Sequence, residues 1–130
     1  MYRWAEHVGE LKLQVEAPTE QAVFMDAFTA FAEVAGDDGG GVPEQRTIEL
    51  EAAERADLLA DWLDELVYLA DALGFVPEQL ADLRVDGGRL HAVVRGHRGQ
   101  PSGLVKAVTR HGLTFLPAEP GWRAQVVLDV

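Results

Sequence analysis

The sequence predicts an α+β fold, a two-layer sandwich in which a mostly antiparallel sheet of about six strands packs against two long helices. Two segments have helical periodicity, and most other apolar residues fall in short alternating runs. Both helices have a broad apolar face that needs a sheet to cover it. A chain of 130 residues is long enough for one domain, residues 1–130, with a core of its own.

The first helix is predicted within PTEQAVFMDAFTAFAEVAG. Phe24, Phe28 and Phe31 recur at i, i+4 and i+7, so they share one face of a helix. Thr19 is a suitable N-cap, and Gly36 is a suitable C-terminal stop. The segment is therefore expected to form an amphipathic helix.

The second helix, within ADLLADWLDELVYLADALG, is the strongest periodic signal of the chain and is expected to end at Gly74. Asp64 and Glu65 are expected at its solvent-facing edge, because neighbouring helical residues point about a hundred degrees apart. The apolar stripe consists of Leu59, Trp62, Leu63, Leu66, Ala70 and Leu73.

Six strands are predicted from alternation and from turn residues between them. The segments are ELKLQVE, RTIELEA, two strands of LADLRVDGGRLHAVVRG joined at DGG, and two strands of GLVKAVTRHGLTFLPAEPGWRAQVVLDV separated at Pro117–Gly121. The glycine-rich stretch Gly36–Pro43 is expected to be a mobile loop that holds neither helix nor strand. His97 and Arg98 in GHRG are expected at a solvated loop tip.

The composition restricts the class of function. There are 22 Asp and Glu against 11 Lys and Arg, which gives a formal charge of -11. Such a chain repels phosphate backbones, so direct nucleic-acid binding is not expected, and a basic partner or a cation is favoured. Without cysteine there can be no disulfide and no thiolate metal site, and the lack of disulfides agrees with a reducing, cytoplasmic location. No apolar run is long enough to cross a membrane.

Sequence motifs of catalysis are absent. The chain has no G-x-S-x-G elbow, P-loop, dinucleotide fingerprint or H-E-x-x-H, so no catalytic residue is assigned. The four histidines are scattered, and a histidine metal site would require tertiary contact. They are His7, His91, His97 and His111.

The segment LVKAVTRHGL, 104–113, places polar groups in an apolar strand pattern. Strand alternation puts Lys106, Val108 and Arg110 on one face, predicted to point away from the core. Thr109 and His111 fall on the other face, among neighbours predicted to be buried. On residues alone, the two basic groups can be solvated cations that neutralise nearby acids.

The chain ends in AQVVLDV, which places the carboxylate of Asp129 next to the terminal carboxylate of Val130. Water and salt can relieve the repulsion between them. Alternatively a hard cation can, because oxygen-only ligands favour calcium, magnesium or manganese.

Three segments in this order resemble the archease family: LLADWLDELVYL, VKAVTRHGL and GWRAQVVLDV. The family has a KAVTYH-like strand, matched at Lys106–His111, and a terminal Asp followed by one aliphatic residue, matched at Asp129 and Val130. Its N-terminal D-H-T-A-D signature, whose last Asp is a metal ligand, is replaced here by EHVGE, Glu6–Glu10. Glutamate keeps the charge and the oxygen donors, so the metal site is either retained with altered geometry or degenerate.

The resemblance implies a non-enzymatic, metal-binding activator of an RtcB-type RNA ligase in tRNA splicing or RNA repair. It implies Glu10, Asp129 and Val130 as ligands of a divalent cation, calcium first, with magnesium or manganese as alternatives. This ligand set requires ELKLQV and AQVVLDV to lie side by side in the sheet. The implied partner-binding residues are His7, Lys106, Thr109, Arg110 and His111.

Two other functions remain open from the sequence. One is a chaperone-like protein-binding module with a degenerate metal site. This alternative is suggested by Glu10, which stands where the family signature has its metal-binding Asp. The other is a metal-dependent enzyme acting on phosphoesters, which lacks an identifiable nucleophile or general base.

Overall fold

The computed structural model describes residues 1–36, 40–101 and 105–130. These residues form an α+β fold, as predicted, with two helices and seven strands. The helices are α1 (Glu20–Ala35) and α2 (Arg55–Leu73). The strands are β1 (Tyr2–His7), β2 (Glu10–Ala17), β3 (Val42–Glu51), β4 (Phe75–Asp86), β5 (Arg89–Arg98), β6 (Ala107–Ala118) and β7 (Gly121–Asp129).

The strands are divided between two antiparallel sheets. The first sheet has the order β1-β2-β7-β6, and the second has the order β3-β5-β4. The strand that the sequence did not predict is β1, which lies at an edge of the first sheet. Its segment YRWAEH contains only Tyr2 and Trp4 as residues that pack against the core, so its alternation is weak. The division into two sheets depends on long-range pairing, which local alternation does not contain.

Both helices have the ends predicted from the sequence. Thr19 caps α1, because its side-chain oxygen accepts a hydrogen bond from the Ala22 amide at 3.1 Å. Gly36 follows the last turn, and its amide donates to the Ala32 carbonyl. Gly74 ends α2 in the left-handed conformation, with φ of 64°, which glycine adopts without steric cost.

The core lies between the helices and the two sheets, and each helix packs against strands of both sheets. Trp62 of α2 is 0% exposed, and its indole nitrogen donates to the Phe24 carbonyl at 3.1 Å. Phe28 stacks on the Trp62 ring at a centroid distance of 6.1 Å. The predicted phenylalanine face of α1 is thus confirmed as the surface that meets α2 and the sheets.

The β4–β5 hairpin is confirmed, with Gly87 and Gly88 at positive φ of 57° and 81°. The prediction for the end of β5 is wrong, because His97 is 4% exposed and lies within the strand. Flanking strands pair with His97 on both sides, and the Glu78 carboxylate lies 2.7 Å from its Nδ1. His97 lies in the central strand and is covered by β3 and β4, which its own sequence segment does not indicate.

The predicted loop Gly36–Pro43 extends less far than expected. Strand β3 begins at Val42, which pairs with Arg98, so the end of the predicted loop belongs to the second sheet. Residues 37–39, which carry both aspartates of this stretch, lie outside the described residues. None of the helices in the described part of the chain is long and apolar enough to span a membrane.

The prediction for the faces of the KAVT strand is wrong in part. Val108 is buried in the core and His111 is exposed, the reverse of what was predicted for them, whereas Val105 and Leu113 pack in or against the core as predicted. Lys106 lies before β6 rather than within it. The register of β6 is interrupted between Thr109 and Thr114, and this irregularity shifts the alternation. Apolar residues on both faces of the segment had concealed which face is buried.

Candidate functional site

The ends of β2 and β7 bring two carboxylates together. Glu10 and Asp129 are direct partners in the antiparallel register, so their side chains leave the sheet on the same face. Directly opposed residues have Cβ atoms about 5 Å apart. Glu10 is exposed and Asp129 is half-buried. The side-by-side placement of the two chain ends that the predicted ligand set requires is therefore present.

This pair lies on the outer face of the first sheet, which we define as the face turned away from the helices. Along β7, Ala124, Val126 and Leu128 belong to the core, so the alternate residues face outward. Asp129 is one of these outward residues. Val127 is another, and it is nevertheless buried, with 4% exposure. Asp129 therefore lies beside a patch of the outer face from which water is partly excluded.

The backbone at the end of β7 is held by two neighbouring segments. The Val130 amide donates to the Gly9 carbonyl at 3.0 Å, which joins it to the turn between β1 and β2. The Lys106 amide donates to the Asp129 carbonyl at 2.8 Å. These two bonds fix the position of Val130 between the β1–β2 turn and the segment that precedes β6.

The donor chemistry here suits a hard cation. Glu10 and Asp129 offer only oxygen atoms as ligands. Among the described residues, no three His, Cys, Asp or Glu side chains are grouped closely enough to hold a metal ion. A cation at this place would thus use two side-chain carboxylates, and its shell would depend on Val130 and on water.

The predicted partner-binding residues lie around this pair but are not all grouped with it. His7 is the register partner of Glu10 on β1, and its side chain lies outside the described part. Lys106 is exposed next to the end of β7, and Thr109 is half-buried on β6. His111 is exposed, and its amide donates to the Thr109 hydroxyl at 3.1 Å.

Arg110 is turned toward α2 rather than toward the carboxylate pair. Its Nη1 donates to Asp64 Oδ2 at 2.8 Å and its Nη2 to Asp61 Oδ1 at 2.6 Å. The hydrogen bond to Asp64 raises the pKa of the Arg110 guanidinium, and the charges of both carboxylates act in the same direction. Asp64 was predicted to lie at a solvent-facing edge, and no contact was predicted for Asp61. Their spacing of three residues on one helix face was the available signal.

Comparison with known proteins agrees with the resemblance. A model of the archease protein family matches residues 2–130. Protein archease of Pyrobaculum neutrophilum is 33% identical to this chain, with 99% of this chain and 95% of the relative aligned. Protein archease of Methanosarcina acetivorans is 32% identical, again with 99% of this chain and 95% of the relative aligned.

Two solved structures have a similar fold. The solution structure of Methanobacterium thermoautotrophicum protein 1598 has a TM-score of 0.74 and 24% identity, and the match covers 99% of this chain and 98% of that one. The crystal structure of a Thermotoga maritima archease, described as a possible chaperone, has a TM-score of 0.71 and 20% identity, with 100% and 98% covered. The fold and the sequence relatives lead to one conclusion: this chain belongs to the archease family.

Proposed function

We propose that this protein is a non-enzymatic, metal-binding activator of an RtcB-type RNA ligase, and that it promotes guanylylation and multiple turnover of that ligase. Membership of the archease family supports this function. The observation that carries the proposal is the direct register pairing of Glu10 with Asp129 at the end of β7. Glu10 is the last residue of EHVGE, the segment that replaces the N-terminal signature of the family. The pairing places it beside Asp129, which matches the terminal Asp of the family.

The proposed cation is divalent, with calcium preferred and magnesium or manganese as alternatives. Glu10 and Asp129 carry like charges on side chains whose Cβ atoms are about 5 Å apart, and a cation between the two carboxylates would offset their repulsion. The terminal carboxylate of Val130 is the third proposed ligand. The longer side chain of Glu10, relative to the family's Asp, gives its carboxylate more reach toward the neighbouring strand.

The proposed docking surface includes His7 and Lys106 beside this pair and extends along β6 to Thr109, Arg110 and His111, with Arg110 turned toward α2. The formal charge of -11 favours a basic partner, such as the surface of an enzyme that binds RNA. In this proposal the ligase binds the RNA and this protein binds the ligase. Its location would be the cytoplasm.

The proposal is tested by measuring ligated RNA per ligase molecule with and without this protein. The cognate RtcB-type ligase, GTP and manganese are kept constant. The protein is expected to raise turnover, and Asp129→Ala is expected to lose this effect. Asp71→Ala serves as the control, since Asp71 is an exposed acid of α2, distant in sequence from the pair. Tight binding of this protein to RNA at physiological salt, without any effect on the ligase, would contradict the proposal.

A chaperone-like module with a degenerate metal site is the second candidate. It is favoured because the described residues contain no cluster of three metal-binding side chains. The two candidates differ in their response to cations. If the wild-type protein activates the ligase but calorimetric titration with calcium and manganese detects no binding, the degenerate-site alternative is correct.

A further inference from the structure

A directed chain of side-chain hydrogen bonds crosses the outer face of the first sheet. Arg3 Nε on β1 donates to Gln14 Oε1 on β2 at 2.9 Å. Gln14 Nε2 donates to Gln125 Oε1 on β7 at 3.3 Å. Gln125 Nε2 donates in turn to the carbonyl oxygen of Gly112 on β6 at 3.0 Å. All four strands of the sheet are thus connected by one series of hydrogen bonds.

The donor-to-acceptor direction of this series of hydrogen bonds is fixed at both ends. A guanidinium group can only donate, and a backbone carbonyl can only accept. Both glutamine amides must therefore present their oxygens toward Arg3 and their nitrogens toward Gly112. Each amide oxygen accepts one hydrogen bond in this series, and each amide nitrogen has a second hydrogen to donate. In the described part of the structure, the two Nη groups of Arg3 donate to no protein acceptor.

A groove of about 370 Å³ lies over this series of hydrogen-bonded side chains. Arg123 on β7 also lines it, with Nε 3.2 Å from Glu16 Oε1. The charged side chains of the groove are therefore two arginines and one glutamate, a local positive excess in a chain of formal charge -11. The polar side chains that line the groove are those of Arg3, Gln14, Glu16, Thr114, Arg123 and Gln125.

We propose that this groove binds a phosphate monoester. The guanidinium of Arg3 is a planar fork that matches phosphate oxygens, and Arg123 adds a second fork from β7. The free amide hydrogens of the two glutamines and the Thr114 hydroxyl supply further donors. A ligand of small-molecule size fits the groove volume. An acceptor-rich anion is favoured because the arginine and glutamine nitrogens that line the groove are hydrogen-bond donors.

This site goes beyond the proposed function and is distinct from the carboxylate pair. Gln125 precedes Asp129 by four residues on the same strand face, a separation of about 13 Å along the strand. The groove attracts anions, and the pair attracts cations. Each can therefore be removed without the other.

The experiment is a titration of the ¹⁵N-labelled full chain with sodium phosphate, followed by amide chemical shifts at constant ionic strength. Sodium chloride and sodium acetate are the reference titrations. Phosphate is expected to shift amides of β2 and β7 around Gln14 and Gln125 in a saturable manner. Arg3→Gln and Arg123→Gln are each expected to weaken binding about tenfold, which corresponds to one charge-assisted hydrogen bond. Arg84→Gln, an arginine of the second sheet with a side chain 75% exposed, is the matched control and should bind normally.

Three outcomes would overturn the proposal: phosphate that binds no better than chloride or acetate, equal affinity in all three arginine variants, or loss of phosphate binding in Asp129→Ala. The last outcome would mean that phosphate binds through a cation held at the carboxylate pair. Adenosine monophosphate is the second probe. Tighter binding of the nucleotide than of inorganic phosphate identifies a nucleotide ligand, and equal binding identifies the phosphate group as the whole ligand. Both of these results support a phosphate site.

Discussion

Arg110 of β6 donates to the Asp64 carboxylate of α2 across 2.8 Å and thereby joins the irregular part of β6 to the helix. Gly112 lies two residues after Arg110. On the opposite face of the sheet, the Gln125 side chain donates to the Gly112 carbonyl. The segment that carries His111 is consequently held from both faces. This arrangement presents an exposed histidine at a defined position without burying it.

The role of Arg110 can be separated from that of its partners. Arg110→Ala is expected to cost less than about 1 kcal/mol of unfolding free energy, because the ion pair is partly exposed. If Arg110 acts on the ligase, Arg110→Ala lowers activation, while the double variant Asp61→Asn and Asp64→Asn retains it. Urea denaturation and ligase turnover measure the two effects. Equal loss of activation in both variants would instead assign Arg110 a purely structural role.

Lys106 offers a second test of the docking surface. It is exposed and precedes β6, so Lys106→Ala should cost less than about 1 kcal/mol of stability. The same change is expected to lower ligase activation, because Lys106 adjoins the end of β7. Arg84→Ala on the second sheet is the control for removing an exposed cation. Full activity of Lys106→Ala would show that this lysine is an ordinary solvated cation.

The cation site predicts a change in thermal stability. Calcium or manganese at about 100 times its Kd should stabilise the wild-type protein by about 2.7 kcal/mol and raise its Tm. Asp129→Ala is expected to abolish this rise, and Asp71→Ala to preserve it. Differential scanning calorimetry with and without the cation is the measurement.

A chain extended by a few residues after Val130 tests the third ligand. The extension converts the terminal carboxylate into a peptide carbonyl, so the cation-dependent rise of Tm should disappear. An extended protein that binds the cation as well as the original chain would exclude Val130 from the ligand set and leave Glu10 and Asp129 as its members.

Tyr2 provides a prediction for alkaline pH. Its hydroxyl donates to the Glu33 carboxylate, and this hydrogen bond, with burial and the carboxylate charge, raises the pKa of Tyr2 from 10.0 to about 12. Because the folded state holds the proton more tightly, the stabilisation is complete below pH 10.0 and is lost as the pH rises toward about 12. Ultraviolet titration of tyrosinate should show this late step.

Three single variants test this assignment. Tyr2→Phe should remove the late step, and Glu33→Gln should move it to lower pH. Tyr68→Phe should leave it in place, because Tyr68 is an exposed residue of α2. If the late step survives in Tyr2→Phe, the assignment to Tyr2 is wrong.

Trp62 is the residue whose removal should damage the fold most clearly. It is fully buried and also donates a hydrogen bond to the Phe24 carbonyl. Trp62→Ala is expected to cost about 3–5 kcal/mol through the lost burial and the cavity left behind. Tyr68→Ala, on the exposed side of the same helix, should cost far less. Chemical denaturation of both variants gives the comparison.

Several elements were predictable because their signals are local. The caps at Thr19, Gly36 and Gly74 and the turn at Gly87 depend on backbone conformations that few residue types adopt. The helical stripes depend on a period that is visible within one segment. For the same reason His97 was misplaced: its burial comes from the strands on either side, and its own segment contains no sign of them.

The sequence by itself determined the α+β class, both helices and six of the seven strands. It also showed the match of Asp129 to the terminal Asp of the archease family. Only the tertiary structure decided the division into two sheets, the core face of β6, the Arg110 contacts with α2 and the opposition of Glu10 and Asp129. Alternation and capping act over a few residues, so a linear sequence displays them. Strand register joins Glu10 to Asp129, more than a hundred residues away, and the ion pair joins Arg110 to Asp64, 46 residues away; both are fixed by the packing of the whole chain.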